Sequence, residues 1–189
     1  MNLPNKLTIF RIILVPIMAI IPFFNFDIKW IVIDIIFILA SITDKLDGYI
    51  ARSTNQITTF GKFLDPIADK ILVIVSMIIL VEHSKIPSWI PAIIIMREFI
   101  VSGYRLIAVE KKGEVVAASI WGKLKTVTQM IAIILAFIDT NPFGAIFTNS
   151  LTGYNFAINL IVTLMMIICV IATIFSGWDY IKNGKDLLK

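Results

Sequence analysis

The sequence has few of the residues that zinc centres and disulfide frameworks require, with one cysteine and one histidine among 189 residues. A single thiol cannot form an internal disulfide, and Cys169 lies within an apolar run. His83 stands beside Ser84 and Lys85 in a short polar segment. We therefore expect a buried free thiol and a solvated histidine in a loop, and no zinc site built on them.

Charged residues are also scarce. They make up 16% of the chain, whereas hydrophobic residues make up 58% and the mean hydropathy is +0.91. A soluble domain has about 25% charged and about 45–50% apolar residues. The apolar residues fall in blocks of about 20, the length that a helix needs to cross a hydrocarbon core of about 30 Å. An ordinary soluble domain is therefore excluded, and residues 1–189 are predicted to form a single all-α integral membrane domain.

Six apolar runs are long enough to cross a membrane, which predicts six transmembrane helices in one bundle. Short segments with turn-forming residues separate them, for example around Asn25 and between Asp139 and Gly144. The predicted helices cover residues 7–26, 30–50, 63–81, 87–109, 117–138 and 155–178.

The positions of the basic residues predict an orientation. If the N-terminus is cytoplasmic, 15 of the 17 lysines and arginines lie on the inner side, and only Lys29 and Lys85 lie outside. The excess of inner positive charge predicts that both termini face the cytoplasm, in a multi-pass protein of the cell membrane. It also explains most of the net charge of +4 without nucleic acid as a partner.

Four aspartates lie in the stretch from Ser41 to Leu80, at the predicted cytoplasmic ends of the second and third spans. Helical spacing places them in two stripes that also contain small residues, and a short turn around residues 53–59 would let the two stripes face each other. The first stripe contains Asp44, Asp47, Gly48 and Ala51, and the second contains Gly61, Asp65 and Asp69.

Four facing carboxylates need positive charge nearby, because burial beside a membrane makes their mutual repulsion costly. Oxygen ligands without histidine or cysteine favour Mg²⁺ or Mn²⁺, and such ions commonly complete their shell with substrate phosphates. A phosphate-bearing substrate is therefore predicted. Two alternatives stay open: four separate solvated aspartates, or a cation transporter, although the acids lie at the membrane boundary and not at its centre.

The residues Asp44-x2-Asp47-Gly48-x2-Ala51-Arg52-x8-Gly61-x3-Asp65-x3-Asp69 resemble the complete signature of the CDP-alcohol phosphotransferases. The resemblance implies a reaction in which an alcohol attacks a CDP-linked donor and CMP leaves. It also implies a six-span fold, two divalent cations and a homodimer.

Individual roles follow from the same resemblance. Asp44, Asp47 and Asp65 would be metal ligands, and Asp69 would be both a ligand and the general base that accepts the proton of the attacking hydroxyl. The predicted donor-binding residues lie around these acids and at the entrance of the first span. They are Asn5, Thr8, Gly48, Ala51, Arg52 and Thr58.

Basic residues in later spans are candidates for binding a second phosphate, on the acceptor. Arg97 and Arg105 lie eight residues apart on one face of the fourth span, and Lys123 and Lys125 begin the fifth. Arg97 should face the bundle interior with a partner other than the adjacent Glu98, because residues i and i+1 do not face each other. One interhelical salt bridge, or contact with anionic lipid headgroups, is the alternative to phosphate binding.

These segments resemble the phosphatidylglycerophosphate synthase subgroup of the family, in which an Arg-Glu pair and a Lys-x-Lys-Thr stretch occur in the same order. The resemblance implies CDP-diacylglycerol as donor and sn-glycerol 3-phosphate as acceptor. A cardiolipin synthase, with phosphatidylglycerol as acceptor, and an inositol-phosphate transferase are the alternatives within the family.

Overall fold

The computed structural model describes residues 2–53, 58–112, 119–148 and 150–183, and every regular element in these ranges is helical. The predicted all-α fold is therefore confirmed for the described part of the chain. The α-helices are α1 Leu3–Ile20, α2 Lys29–Ser53, α3 Thr59–Glu82, α4 Trp89–Lys112, α5 Ile120–Ile138, α6 Ala145–Thr148 and α7 Gly153–Asn183, and a 3₁₀ turn, Ile21–Phe23, follows α1.

Each predicted span corresponds to one long helix, with shifts at the ends. Helix α1 begins at Leu3, because Pro4 lies in its first turn, where the missing N–H of proline has no helical partner to lose. Helix α7 continues to Asn183, beyond the predicted end at residue 178. The short helix α6 was not predicted. The turn predicted around residues 53–59 lies largely outside the described residues.

The helices form two compact units, Met1–His83 and Ser84–Lys189, called here the N-terminal and C-terminal units. In the N-terminal unit, α1 packs against α2 and α3, and Met18, Phe37 and Leu72 are among its fully buried side chains. At the end of α3, His83 stacks edge-on against Trp30 with ring centroids 4.8 Å apart. His83 lies in the turn after α3 and is partly exposed, as expected of a loop residue, and its ring also packs against Trp30.

In the C-terminal unit, α7 packs against both α4 and α5. Ile133, Met166 and Cys169 are fully buried there, so the expected burial of the free thiol is confirmed. Helix α5 begins at a capped end, where the Ser119 hydroxyl accepts a hydrogen bond from the Gly122 N–H at 3.1 Å.

Lys85 fixes the other end of α5, although the sequence suggested only an outer-loop lysine. Its ammonium donates hydrogen bonds to the carbonyls of Ala136, Phe137 and Asp139 at 3.1, 3.0 and 2.5 Å. A cation at a helix C-terminus satisfies carbonyls that lack a helical donor and complements the helix dipole. Burial lowers the pKa of Lys85 to about 8, against the opposing effect of the Asp139 carboxylate.

Three helical segments among the described residues are long and apolar enough to cross a membrane: Leu3–Phe23, Ile120–Ile138 and Gly153–Lys182. Their outer faces carry large apolar side chains. In α1, Phe10, Ile13 and Ile17 are 45–52% exposed. Exposed apolar surface of this extent marks contact with lipid or with another protein, and together with the span lengths it indicates a membrane protein.

Candidate active site

One face of α1 builds the polar interior of the N-terminal unit. Asn5, Thr8 and Arg11 are spaced by three residues and are all buried, and the same stripe continues into the apolar residues Val15 and Met18. The i, i+3, i+4 spacing of a helix explains why the polar and apolar parts of this stripe lie on one side. Helix α1 therefore carries a polar segment against α2 and α3.

The Arg11 side chain is completely buried between two of the predicted metal ligands. Its Nη1 donates to Asp44 Oδ1 at 2.6 Å, and its Nη2 donates to Asp47 Oδ2 at 2.5 Å. The Asp47 side chain is 4% exposed and that of Asp44 is 38% exposed. Because an unpaired buried charge is strongly destabilising, the guanidinium supplies the positive charge that compensates the two carboxylates.

Thr8 connects the acids of α2 with those of α3. Its hydroxyl lies 2.9 Å from Asp65 Oδ1 and 3.3 Å from Asp47 Oδ2, and it also lies 3.2 Å from the Pro4 carbonyl. One hydroxyl within hydrogen-bond distance of both carboxylates means that Asp47 and Asp65 face each other across the helix pair. The structure thus brings together Asp44, Asp47 and Asp65 around two residues of α1.

The start of α3 is tied to the start of α1. Thr58 caps α3 by accepting a hydrogen bond from the Gly61 N–H at 3.0 Å, and its hydroxyl donates to Asn5 Oδ1 at 3.0 Å. Gly61 leaves room for this contact, because a Cβ there would lie 3.0 Å from Asn5 Oδ1 and 3.2 Å from Thr58 Oγ1. Three residues singled out in the sequence therefore meet beside the acidic cluster.

The remaining predicted residues of this region are placed as follows. Asp69 lies one turn after Asp65 on α3 and is exposed, which is compatible with access by a substrate. Gly48 follows Asp47 on α2 and is partly buried. Ala51 and Arg52 belong to the last turn of α2, where the structure describes the backbone and not these two side chains. The catalytic and binding roles of all these residues stay predictions.

The acidic cluster offers ligand atoms that fit a divalent cation. These atoms are carboxylate oxygens and a hydroxyl oxygen, without nitrogen or sulfur. Within the described ranges, however, no three acidic, histidine or cysteine side chains lie close enough to hold one ion. Arg11 occupies the position between Asp44 and Asp47 and supplies the compensating positive charge. In this arrangement the carboxylates are organised around an arginine.

A second charged cluster lies in the C-terminal unit, between α4 and α5. Glu98 Oε1 accepts hydrogen bonds from Arg97 Nη1 at 3.0 Å and from Lys125 Nζ at 2.5 Å. The side chains of Arg97 and Lys125 are 11% and 5% exposed. The expectation that Arg97 has a partner other than Glu98 was wrong in part, because the long arginine side chain can bend back to its neighbour.

Helix α7 supplies the other contacts of this cluster. Arg97 Nη2 donates a short hydrogen bond to Ser176 Oγ, and Arg105 Nη2 donates to the Tyr180 hydroxyl at 2.6 Å. The structure therefore brings Arg97, Arg105 and Lys125 into one network. Lys123 is exposed, and in the described part of the chain no hydrogen bond or ion pair joins it to these residues.

Two buried nitrogens of the C-terminal unit lack an acceptor among the described residues: Arg97 Nε and Gln129 Nε2. Gln129 is 2% exposed and lies one helical turn after Lys125, on the same face of α5. Buried donors in folded proteins are nearly always hydrogen-bonded to protein groups, water or a ligand, so both nitrogens have the capacity to bind a further acceptor.

Sequence reasoning missed two residues of these clusters, Ser176 and Tyr180. It gave Arg11, which lies with Asn5 and Thr8 at the entrance of the first span, no contact with the aspartates. The available signal was its spacing of three from Thr8 and of six from Asn5, which places all three near one face of α1. Ser176 and Tyr180 are four residues apart in an apolar helix, a spacing that puts two polar groups on one face.

Comparison with known proteins identifies the family of the chain. The family model for CDP-alcohol phosphatidyltransferase matches residues 1–178. A CDP-diacylglycerol–glycerol-3-phosphate 3-phosphatidyltransferase of Bacillus subtilis is 42% identical, covering 100% of this chain and 97% of its own. Enzymes of that name from Haemophilus influenzae and Rickettsia typhi are 38% and 37% identical, with 99% and 97% of this chain covered and 95% and 97% of their own. The chain therefore belongs to the CDP-alcohol phosphatidyltransferase family.

Proposed function

We propose that this protein transfers the phosphatidyl group of CDP-diacylglycerol to sn-glycerol 3-phosphate, which gives phosphatidylglycerophosphate and CMP. The observation that carries the proposal is the full-length similarity to relatives named for this activity, at 37–42% identity over 97–100% of the chain. The matched region covers the whole chain and so contains both charged clusters.

In the proposed reaction, a hydroxyl oxygen of the acceptor attacks the diacylglycerol-bearing phosphorus of the donor. The new P–O bond replaces the bond to CMP, which leaves with its electron pair. Asp69 accepts the hydroxyl proton, a role for which its exposure on α3 is suitable. The donor-binding set is Asn5, Thr8, Gly48, Ala51, Arg52 and Thr58, of which Asn5, Thr8 and Thr58 border the acidic cluster.

Asp44, Asp47, Asp65 and Asp69 would hold two divalent cations, Mg²⁺ or Mn²⁺. Such ions, when bound, neutralise the diphosphate and the charge that develops on the leaving group. Arg11 holds Asp44 and Asp47 by hydrogen bonds of 2.6 and 2.5 Å. Arg11 contacts one oxygen of each carboxylate in these hydrogen bonds, so the other oxygen could bind a cation while the hydrogen bond is kept. We therefore assign Arg11 to orienting the two acids and to compensating their charge.

The acceptor phosphate is assigned to the basic cluster of the C-terminal unit. Arg97, Arg105 and Lys125 outnumber the single Glu98 carboxylate in their network. Arg97 Nε and Gln129 Nε2 add two buried donors without an acceptor. A phosphate dianion would supply both the missing negative charge and the missing acceptors. An uncharged alcohol would supply neither. Lys123, which is exposed, is the weakest member of this predicted set.

The proposal also covers the membrane topology and the oligomeric state of the protein. We propose that all six long helices cross the cell membrane as one membrane domain, with both termini and the aspartates on the cytoplasmic side. The acyl chains of the donor would then stay in the bilayer while the headgroup reacts at the interface. A homodimer is proposed from family membership.

Release of CMP tests the proposed function. Purified protein in detergent or vesicles, with CDP-diacylglycerol, Mg²⁺ and sn-glycerol 3-phosphate, should release CMP, and EDTA should stop the release. Phosphatidylglycerol and inositol phosphate serve as alternative acceptors in parallel reactions. If CMP is released only with one of these two alcohols, that alcohol is the acceptor and sn-glycerol 3-phosphate is not. The absence of release with every alcohol tested would overturn the enzymatic assignment itself, and cation flux in sealed vesicles would then be the assay.

A further inference from the structure

The contact between α4 and α7 contains a tyrosine that no motif of the sequence singled out. Tyr180 is 4% exposed, and its hydroxyl accepts a hydrogen bond from Arg105 Nη2 at 2.6 Å. A hydrogen bond that involves a charged donor is roughly twice as strong as one between neutral groups. Tyr180 therefore fixes one end of the Arg105 side chain.

The ring of Tyr180 also lies close to both arginines of α4. The guanidinium carbons of Arg97 and Arg105 are 5.7 and 5.4 Å from the ring centroid. Both distances are within the range of about 6 Å in which a cation is attracted to the face of an aromatic ring. Ser176, one helical turn before Tyr180, accepts a hydrogen bond from Arg97. One face of α7 thus contacts both arginines.

Apolar side chains surround Arg97 and Tyr180, whereas Arg105 is exposed. Arg97 borders a groove of about 240 Å³ whose other walls include Ile93, Met96 and Trp178. Tyr180 borders a second groove, of about 260 Å³, beside Phe99 and Ile107. Electrostatic attraction is larger where apolar side chains or lipid replace water. A flexible arginine in such a place keeps one orientation only if a fixed partner holds it.

We propose that Tyr180 is a positioning residue, which holds Arg97 and Arg105 together in the orientation that binds the phosphate of the acceptor. The inference rests on the proposed function, since it takes the basic cluster as the acceptor site. Binding groups that are held in place before the ligand arrives lose less conformational freedom on binding. Tyr180 contributes to acceptor affinity through the arginines and has no role in proton transfer.

Steady-state kinetics with two variants tests this role. In Tyr180→Phe the ring stays and the hydrogen bond to Arg105 is lost, and in Tyr180→Leu both are lost. We expect Tyr180→Phe to raise KM for sn-glycerol 3-phosphate about tenfold, equivalent to about 1.4 kcal/mol. Its kcat and its KM for CDP-diacylglycerol should stay within about twofold of the parent values. Tyr180→Leu should raise the acceptor KM further. The matched control is Tyr154→Phe, also on α7 and 70% exposed, which should change neither constant.

An unchanged acceptor KM in Tyr180→Phe would overturn the inference. So would a fall in kcat with equal changes for both substrates, because that pattern indicates a general structural role. If Tyr180→Leu does not fold, the acceptor KM of Tyr180→Phe alone tests the inference. If the parent protein releases no CMP with sn-glycerol 3-phosphate, the proposed function fails separately. The positioning role is then decided by thermal unfolding with inorganic phosphate, and equal stabilisation of parent and Tyr180→Phe would overturn it.

Discussion

Each unit contains a charged cluster, and the two clusters have opposite majority charges. In the N-terminal unit, one arginine lies between two carboxylates, at 2.6 Å from Asp44 and 2.5 Å from Asp47. In the C-terminal unit, one carboxylate lies between two cations, since Glu98 accepts from Arg97 at 3.0 Å and from Lys125 at 2.5 Å. Each cluster is stabilised by an internal ion of the minority sign.

The comparison explains how each cluster can be stable while no ligand is bound. A buried charge without a partner is strongly destabilising, so each unit keeps a counter-ion of its own. That counter-ion does not balance the cluster completely. Asp65 adds further negative charge to the first cluster, and Arg105 adds further positive charge to the second. The first cluster is therefore suited to cations and the second to anions.

The largest expected effect is on kcat. It distinguishes the acidic cluster, proposed to catalyse the reaction, from the basic cluster, proposed to bind the acceptor. We expect Asp69→Asn to lower kcat by about 10³-fold, because loss of a general base removes roughly 10²–10⁴-fold of rate. The amide keeps the size of the side chain, so KM for the acceptor should change little. CMP release under saturating substrates measures the effect. Asp27→Asn, at an exposed turn of the same unit, is the control and should keep full activity. Turnover of Asp69→Asn near the parent rate would show that another group accepts the proton.

The second prediction removes the internal cation of the acidic cluster. Arg11→Met leaves Asp47 buried without its guanidinium, and breaking a buried pair in this way destabilises by about 3–5 kcal/mol. Thermal unfolding in detergent should show the loss, and Mg²⁺ should restore more stability to this variant than to the parent. Lys6→Met, an exposed position on the same helix, provides the control. If Arg11→Met unfolds at the parent temperature, the guanidinium is not what stabilises the acids.

Both internal ions show where sequence reasoning reached its limit. The helices could be predicted, since a run of about 20 apolar residues is a local property. The aspartate stripes could be predicted as well, because their spacing lies within single helices. Arg11 pairs with residues 33 and 36 positions away. The partner of a buried charge over such a separation depends on how whole helices pack, and spacing within one helix does not contain that information.

The same limit applies to the basic cluster, but there the local argument also failed once. Arg97 and Glu98 were expected not to meet, because adjacent helical residues point in different directions. The rule holds for Cβ positions, whereas the arginine side chain has enough length to return to its neighbour, and their polar atoms meet at 3.0 Å. Tyr180 lies 75 residues from Arg105 and entered no motif.

The third prediction concerns Glu98, the single carboxylate between Arg97 and Lys125. Its removal tests whether this carboxylate stabilises the basic cluster as Arg11 stabilises the acidic one. Glu98→Gln should destabilise the protein by about 1–3 kcal/mol, because Arg97 and Lys125 would repel each other without the carboxylate. Inorganic phosphate should then raise the unfolding temperature of this variant more than that of the parent. Glu82→Gln, at the exposed end of α3, is the control. Equal stabilisation of Glu98→Gln and the parent by phosphate would mean that Glu98 does not occupy the place of an anionic ligand.

The smallest expected effect compares one glycine from each unit. A Cβ at Gly61 would lie 3.0 Å from Asn5 Oδ1 and 3.2 Å from Thr58 Oγ1, whereas a Cβ at Gly103 would meet nothing within 4 Å. Gly103→Ala should stabilise the protein by up to about 1 kcal/mol, through the better helix propensity of alanine. Gly61→Ala gains the same propensity but must displace Asn5 or Thr58, which costs about 1–3 kcal/mol.

Thermal unfolding of the two alanine variants measures this difference, and KM for CDP-diacylglycerol adds a functional measurement. We expect Gly61→Ala to raise the donor KM, because the hydrogen bond between Thr58 and Asn5 lies where the displacement occurs. Gly103→Ala should leave the donor KM unchanged. If the two variants have the same stability and the same donor KM, the close approach of α1 and α3 at Gly61 is not needed for donor binding. The acidic cluster alone would then account for the function of the N-terminal unit.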